Sequence, residues 1–142
     1  ISAHQRQWGG NSATRSDALV VGLEWPTEQI NRRINARVKQ MAANGLVEEV
    51  RTLLAEQAFG PQSREALGYK QLIEAMLADP TPGGIDKALE RIKIETRRFA
   101  KNQRTWLKRF RDIEGSVWID YLDAESPASV DRVLDRMQLR SR

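Results

Sequence analysis

Only two stretches of this chain have the composition of strands, residues 18–25 (ALVVGLEW) and 116–120 (SVWID), and residues 26–115 between them read as helix. Two short strands do not make an independently stable sheet. An unbroken apolar run such as Leu19, Val20 and Val21 suits a strand covered on both faces, as in a parallel α/β sheet. The pattern therefore predicts a mainly α chain with two short strands whose neighbouring strands lie elsewhere. The first residue, Ile1, is not an initiating methionine, and a fragment of a larger α/β domain is the expectation.

The helical segments have readable ends. Pro26 and Thr27 open the first, with Thr27 as the expected N-cap, and Asn44-Gly45 stops it. Its apolar stripe is Ile30, Ile34, Val38 and Met41, and Arg37 lies at the edge of that stripe while Arg32 and Arg33 read as ordinary surface residues. An arginine so placed serves either a structural ion pair or a ligand. A second helix from Leu46 to about residue 57 buries Val47, Val50, Leu53 and Leu54 before Phe59-Gly60-Pro61 breaks it. Residues 63–79 read as one further helix with Leu67, Leu72, Ile73, Met76 and Leu77 inward. Gly68 inside it costs about 1 kcal/mol against alanine, which predicts close packing against its backbone. Residues 79–84 are a loop, and Ser126-Pro127 opens a last helix with Val130, Val133, Leu134 and Met137 apolar.

Residues 85–111 are the most informative helix. Ile85, Leu89, Ile92, Phe99, Trp106 and Phe110 recur in steps of three and four once Thr96 and Gln103 are admitted to the series, so one face belongs to a core. The other faces carry Arg97, Arg98, Lys101, Arg104, Lys108, Arg109 and Arg111, and no acidic residue lies between Thr96 and Arg111. Surface helices normally mix signs. A run of one sign repels itself, and a phosphate ligand or polyanionic partner relieves that repulsion. Thr96 and Gln103 stand where the stripe calls for apolar residues, which predicts a hydrogen-bonded neighbour or a polar channel.

Composition sets the limits. The chain has 142 residues, 40% hydrophobic and 30% charged, a globular balance with a net charge of +4 that points toward nucleic acid. There are no cysteines and one histidine, His4, to which we give no catalytic role, so disulfide and thiol chemistry are excluded. No apolar run reaches the roughly 18 residues a membrane span needs, and no hydrophobic signal segment opens the chain, so a cytoplasmic protein without membrane contact is expected. No Gly-rich phosphate loop, HExxH pair or EF-hand loop occurs, and no metal site is expected in the chain. The cations and polar side chains are equipment for holding phosphates while another part performs chemistry.

Four segments in order, RRINARVKQMAANGLVEEVRTLL (32–54), ALGYKQ (66–71), TRRFAKNQRTWLKRF (96–110) and VWID (117–120), closely resemble the C-terminal half of the tRNA dimethylallyltransferase family, also called tRNA isopentenyltransferases. HQRQW (4–8) is similar to the end of that family's helical insertion domain, which makes residues 1–17 the end of the insertion and its loop, and residues 18–142 the C-terminal part of the transferase core. The resemblance implies a P-loop-kinase-like, nucleotide-binding α/β core, a three-layer parallel sheet. The ATP-type phosphate loop, the acidic general base and the Mg²⁺ ligands lie in the absent N-terminal half. It implies transfer of a dimethylallyl group from dimethylallyl diphosphate to N6 of an adenosine beside the anticodon, by a monomeric full-length enzyme of which this part is inactive alone.

Carried over by motif, the resemblance puts Arg37 at the diphosphate end of a channel with Gln103 on the channel wall. It makes Arg64, Tyr69, Lys70, Thr96, Arg97, Arg98 and Lys101 tRNA-contacting. Asn102 stands where the family usually has a second basic residue and Phe99 where it often has tyrosine. Two other classes of protein remain compatible with the residues alone: an adenylate isopentenyltransferase acting on free nucleotide, and a stand-alone basic RNA-binding module.

Overall fold

The computed structural model describes residues 19–140, and the readings placed on residues 1–17 lie outside them. The architecture is mainly α with two short strands, as the patterning predicts. The chain forms two compact units, one of residues 25–107 and the other of the described residues on either side.

In the larger unit, helix α1 (Thr27–Ala43) is followed by α2 (Leu46–Ala55), a single turn α3 (Pro61–Arg64), α4 (Tyr69–Ala78) and the long α5 (Pro82–Leu107). Val38 of α1, Leu46 and Val50 of α2, Leu72 and Ile73 of α4, and Ile85, Ala88 and Ile92 of α5 form one buried cluster. Leu72 and Val50 are fully enclosed. Met41, Phe59, Tyr69, Met76 and Leu89 close its margins. Helices α1 and α5 run antiparallel, which two side-chain bonds record. Arg97 donates to Asn35 Oδ1 at 2.6 Å, and Arg104, further along α5, donates to Thr27 Oγ1 at the start of α1.

Thr27 is thus the first helical residue and not the cap. The Pro26 carbonyl accepts from the backbone of Gln29 and Ile30, and no side chain caps this end. The expected single helix over 63–79 is two pieces. Gly68 adopts φ +106° between α3 and α4, and a Cβ there would meet nothing within 4 Å. The glycine is present for a backbone conformation that other residues adopt at a cost, not for close packing. With the chain turned there, Leu67 points outward and is 43% exposed.

The smaller unit holds β1 (Val21–Glu24), β2 (Val117–Asp120) and α6 (Pro127–Arg140). The strands pair in parallel, Val21 opposite Val117 through Glu24 opposite Asp120. The expectation of a first strand covered on both faces is not met among the described residues, and in β2 the buried Val117 and Ile119 share one face while Asp120 on the other is exposed. Val117 and Ile119 are buried, whereas Val21 and Leu23 of β1 are exposed. The apolar stripe of α6 is likewise largely exposed at Val130, Leu134 and Met137. Ser126 Oγ accepts from the Ser129 backbone N–H at 3.2 Å, which is the cap read from the sequence.

Gly22 lies opposite Trp118 in this pair, and a Cβ on it would fall 2.3 Å from the indole. Gly22→Ala is therefore expected to destabilise the protein by about 1–3 kcal/mol through overpacking. Thermal unfolding of the full-length protein with an indole fluorescence readout checks this, and an unchanged midpoint would mean that Trp118 moves aside freely.

Candidate phosphate and nucleic-acid site

Two features of the larger unit have the chemistry of anion sites. The first lies on α1. Trp25, Ile30, Arg33, Ile34, Ala36, Arg37 and Gln40 line an open concavity of about 570 Å³. The 3.6-residue repeat of α1 puts Ile30, Arg33, Ile34 and Arg37 on adjacent turns, so two guanidiniums and two isoleucines share one wall. Arg33 stacks over the Trp25 ring at 4.6 Å, which fixes the guanidinium by cation–π attraction. Among the described residues no carboxylate lines the concavity. Arg37, read at the edge of the apolar stripe, is exposed within it. Arg33, which reads as an ordinary surface residue in the sequence, shares the wall with it. The signal was its spacing, since a second cation four positions before Arg37 falls on the same face.

The second feature is the end of α5. The buried part of the apolar stripe ends near Thr96, where α4 begins; beyond it α1 still runs beside α5, joined to it by Arg97 on Asn35 and Arg104 on Thr27. Phe99 and Trp106, expected inside, are 55% and 51% exposed. Gln103 is exposed with them, so within this unit it lines no enclosed channel. Thr96 donates to the Ile92 carbonyl one turn back at 2.7 Å, which satisfies its hydroxyl within the helix. Arg98 and Lys101 point to solvent, and Arg97 is half-buried against Asn35.

The turn between α3 and α4 carries the remaining candidates. Arg64 is exposed. Tyr69 donates to Glu49 at 2.6 Å, and that carboxylate pushes the phenol pKa upward. Lys70 pairs with Glu65 at 2.6 Å, which raises the ammonium pKa and keeps it charged. The residues expected to meet tRNA therefore sit on two segments, residues 64–70 and 96–101, joined through the α4–α5 packing. Among the described residues no group of three or more His, Cys, Asp or Glu is placed to hold a metal ion, so they do not supply a ligand set for the Mg²⁺ that the resemblance implies. No described helix is long and apolar enough to cross a membrane.

Paired arginines beside an apolar wall, and an acid-free basic helix end, are complementary in charge to phosphorylated or polyanionic molecules. The chain belongs to the IPP transferase family, whose profile matches residues 1–110. It is 37% identical over 138 residues to the tRNA dimethylallyltransferase of Rhodopirellula baltica, a match covering 96% of this chain and 39% of that protein. The tRNA dimethylallyltransferase of Corynebacterium jeikeium is 39% identical over 121 residues, 84% of this chain and 36% of the relative. Among solved structures, the full-length tRNA isopentenylpyrophosphate transferase from Bacillus halodurans superposes with a TM-score of 0.70 at 26% identity, over 92% of this chain and 42% of the other. The tRNA Δ(2)-isopentenylpyrophosphate transferase of Staphylococcus epidermidis gives 0.63 at 28% identity, over 96% and 41%. The chain thus spans about two fifths of the length of these relatives. Their fold is the P-loop-kinase-like α/β class that the sequence resemblance implies.

Proposed function

We propose that this chain is part of a tRNA dimethylallyltransferase, and that it supplies the cations that hold the prenyl diphosphate and the tRNA. The observation that carries the reading is the concavity on α1, where Arg33 and Arg37 stand one turn apart against Ile30, Ile34 and Trp25. A molecule with a diphosphate head and a short apolar tail is complementary to both halves of that wall. The names of the relatives support the same substrate pair.

In the reaction the exocyclic N6 of adenosine attacks the allylic carbon of dimethylallyl diphosphate. The new C–N bond forms as the C–O bond to diphosphate breaks, and N6 loses a proton to a base outside the described residues. Negative charge accumulates on the departing diphosphate, so fixed guanidiniums stabilise the transition state more than the ground state. Arg33 and Arg37 take that role, Arg33 already oriented by Trp25. The exposed cations Arg64, Arg98 and Lys101 meet tRNA phosphates, and Lys70, Tyr69, Thr96 and Arg97 shape the surface that presents them. Gln103 lies on the stripe face of α5, turned away from Arg98 and Lys101, and keeps the channel-wall role that the resemblance gives it, with the rest of that wall supplied from outside the described residues. The full-length enzyme acts as a monomer in the cytoplasm with Mg²⁺ bound by residues outside those described.

The test is transfer of radiolabel from dimethylallyl diphosphate by the full-length protein. Label on unmodified tRNA bearing adenosine beside the anticodon, and none on free AMP, is the expected result. Label on AMP alone would replace the reading by an adenylate isopentenyltransferase. Label on neither, with RNA still bound, would reduce the protein to a binding module.

A further inference from the structure

Gln71 is the most buried polar residue of the described chain, at 2% exposure, and it touches no candidate ligand surface directly. Both ends of its amide are engaged. Its Oε1 accepts from the Gly68 backbone N–H at 2.8 Å, at the positive-φ residue that turns the chain from α3 into α4. Its Nε2 donates to Glu95 Oε2 on α5 at 2.6 Å. The other oxygen of Glu95 accepts from Arg91 Nε at 2.7 Å, and Arg91 reaches back to Glu74 on α4 at 2.5 Å. The result is a closed polar seam between α4 and α5 with Gln71 at its buried end.

The position of that seam matters because of what flanks it. On one side are residues 64–70 with Arg64 and Lys70, and on the other the acid-free run that starts at Thr96. Glu95 is the last carboxylate before that run, and Arg98 is three residues away on the same helix, a spacing at which the two would pair. Glu95 instead has both oxygens occupied by Gln71 and Arg91. A buried amide is suited to this duty, since it donates and accepts at once without adding charge.

We propose that Gln71 is a positioning residue for tRNA: its amide fixes the residue 64–70 turn relative to the basic end of α5 and holds the Glu95 carboxylate off Arg98, so that cations of both segments address one phosphate track. The inference rests on the tRNA reading given above. It predicts that the seam is set by complementary donors and acceptors, so exchanging the two partners preserves it. In Gln71→Glu with Glu95→Gln, the new carboxylate still accepts from Gly68 and the new amide still donates across to it, while Arg91 keeps an oxygen to bond.

The experiment measures the Kd for unmodified tRNA, the KM for dimethylallyl diphosphate and the thermal midpoint in the full-length protein. Gln71→Glu alone sets two carboxylates face to face. It is expected to weaken tRNA binding about tenfold while leaving the donor KM within about twofold, and the double exchange is expected to restore the Kd to within about threefold of wild type. Gln71→Met, uncharged and of similar volume, is expected to show the same selective loss and decides the matter if Gln71→Glu does not fold. Wild-type tRNA affinity in folded Gln71→Met or Gln71→Glu overturns the inference. So does a loss shared equally by donor and tRNA, which marks a residue that merely holds the fold, or a double exchange no better than the single. A wild-type protein that binds no tRNA overturns the functional reading and this inference together, whereas a tRNA-binding wild type with indifferent Gln71 variants overturns this inference alone.

Discussion

Arg37→Ala in the full-length protein is expected to lower kcat/KM for dimethylallyl diphosphate by about 10²- to 10³-fold, the usual consequence of removing one preorganised donor from developing negative charge, while tRNA affinity stays near wild type. Two facts set the size of the effect. Arg37 stands exposed in the α1 concavity, and among the described residues no carboxylate on its walls neutralises its charge. Arg33 one turn earlier supplies a second guanidinium, which limits the loss and makes the double substitution the more severe variant. Arg37→Lys keeps the charge but loses the planar fork that grips two phosphate oxygens, and a loss of about tenfold is expected. Steady-state kinetics at saturating tRNA check all three. An Arg37→Ala enzyme with unchanged donor kinetics would remove the concavity from the mechanism.

The second large effect belongs to the end of α5. Arg98→Ala with Lys101→Ala is expected to weaken tRNA binding by at least about tenfold at moderate salt. It is also expected to flatten the slope of log Kd against log salt by about 1.5, close to 0.7–0.9 for each phosphate contact removed. Arg97 is a poorer choice for this test. Its guanidinium holds Asn35 and with it the alignment of α1 on α5, so its removal would disturb the concavity as well. Equilibrium binding over a salt series measures the slope, and an unaltered slope would mean that neither cation meets phosphate.

Much of the fold is legible in the sequence because local chemistry decides it. Proline, Asn-Gly and Ser-Pro punctuation brackets α1 and α6 to within a residue or so, and the parallel strands fall inside the two apolar runs. The errors share a cause. Periodicity shows which face of a helix is apolar but not how fully its neighbours cover it, and so the stripe of α5 continues past Thr96 to Phe99 and Trp106, which stay exposed beyond the start of α4 although α1 runs alongside as far as Arg104. Gly68 is similar. A glycine within a helical pattern carries no mark that separates close packing from a positive φ, and here the backbone conformation is the reason.

The site divides in the same way. Arg37 and the acid-free run stand out in the sequence because spacing and charge are one-dimensional properties. The stacking of Arg33 on Trp25, the tie from Arg97 to Asn35 and the burial of Gln71 against Glu95 depend on side chains brought together by packing, and no spacing rule contains them. Thr96 was the reverse case, a polar residue on an apolar stripe whose hydroxyl is satisfied by its own helix.

In the proposed function one scaffold holds two anions at two separate places, the prenyl diphosphate on α1 and the tRNA along α5 and the turn before α4. The most direct test is a single kinetic series in the full-length protein that determines KM and kcat for both substrates in Arg33→Ala/Arg37→Ala and in Arg98→Ala/Lys101→Ala. A crossed pattern is expected, with the first pair impaired toward dimethylallyl diphosphate and the second toward tRNA. Both pairs impaired toward the same substrate, or the two patterns exchanged, would contradict it.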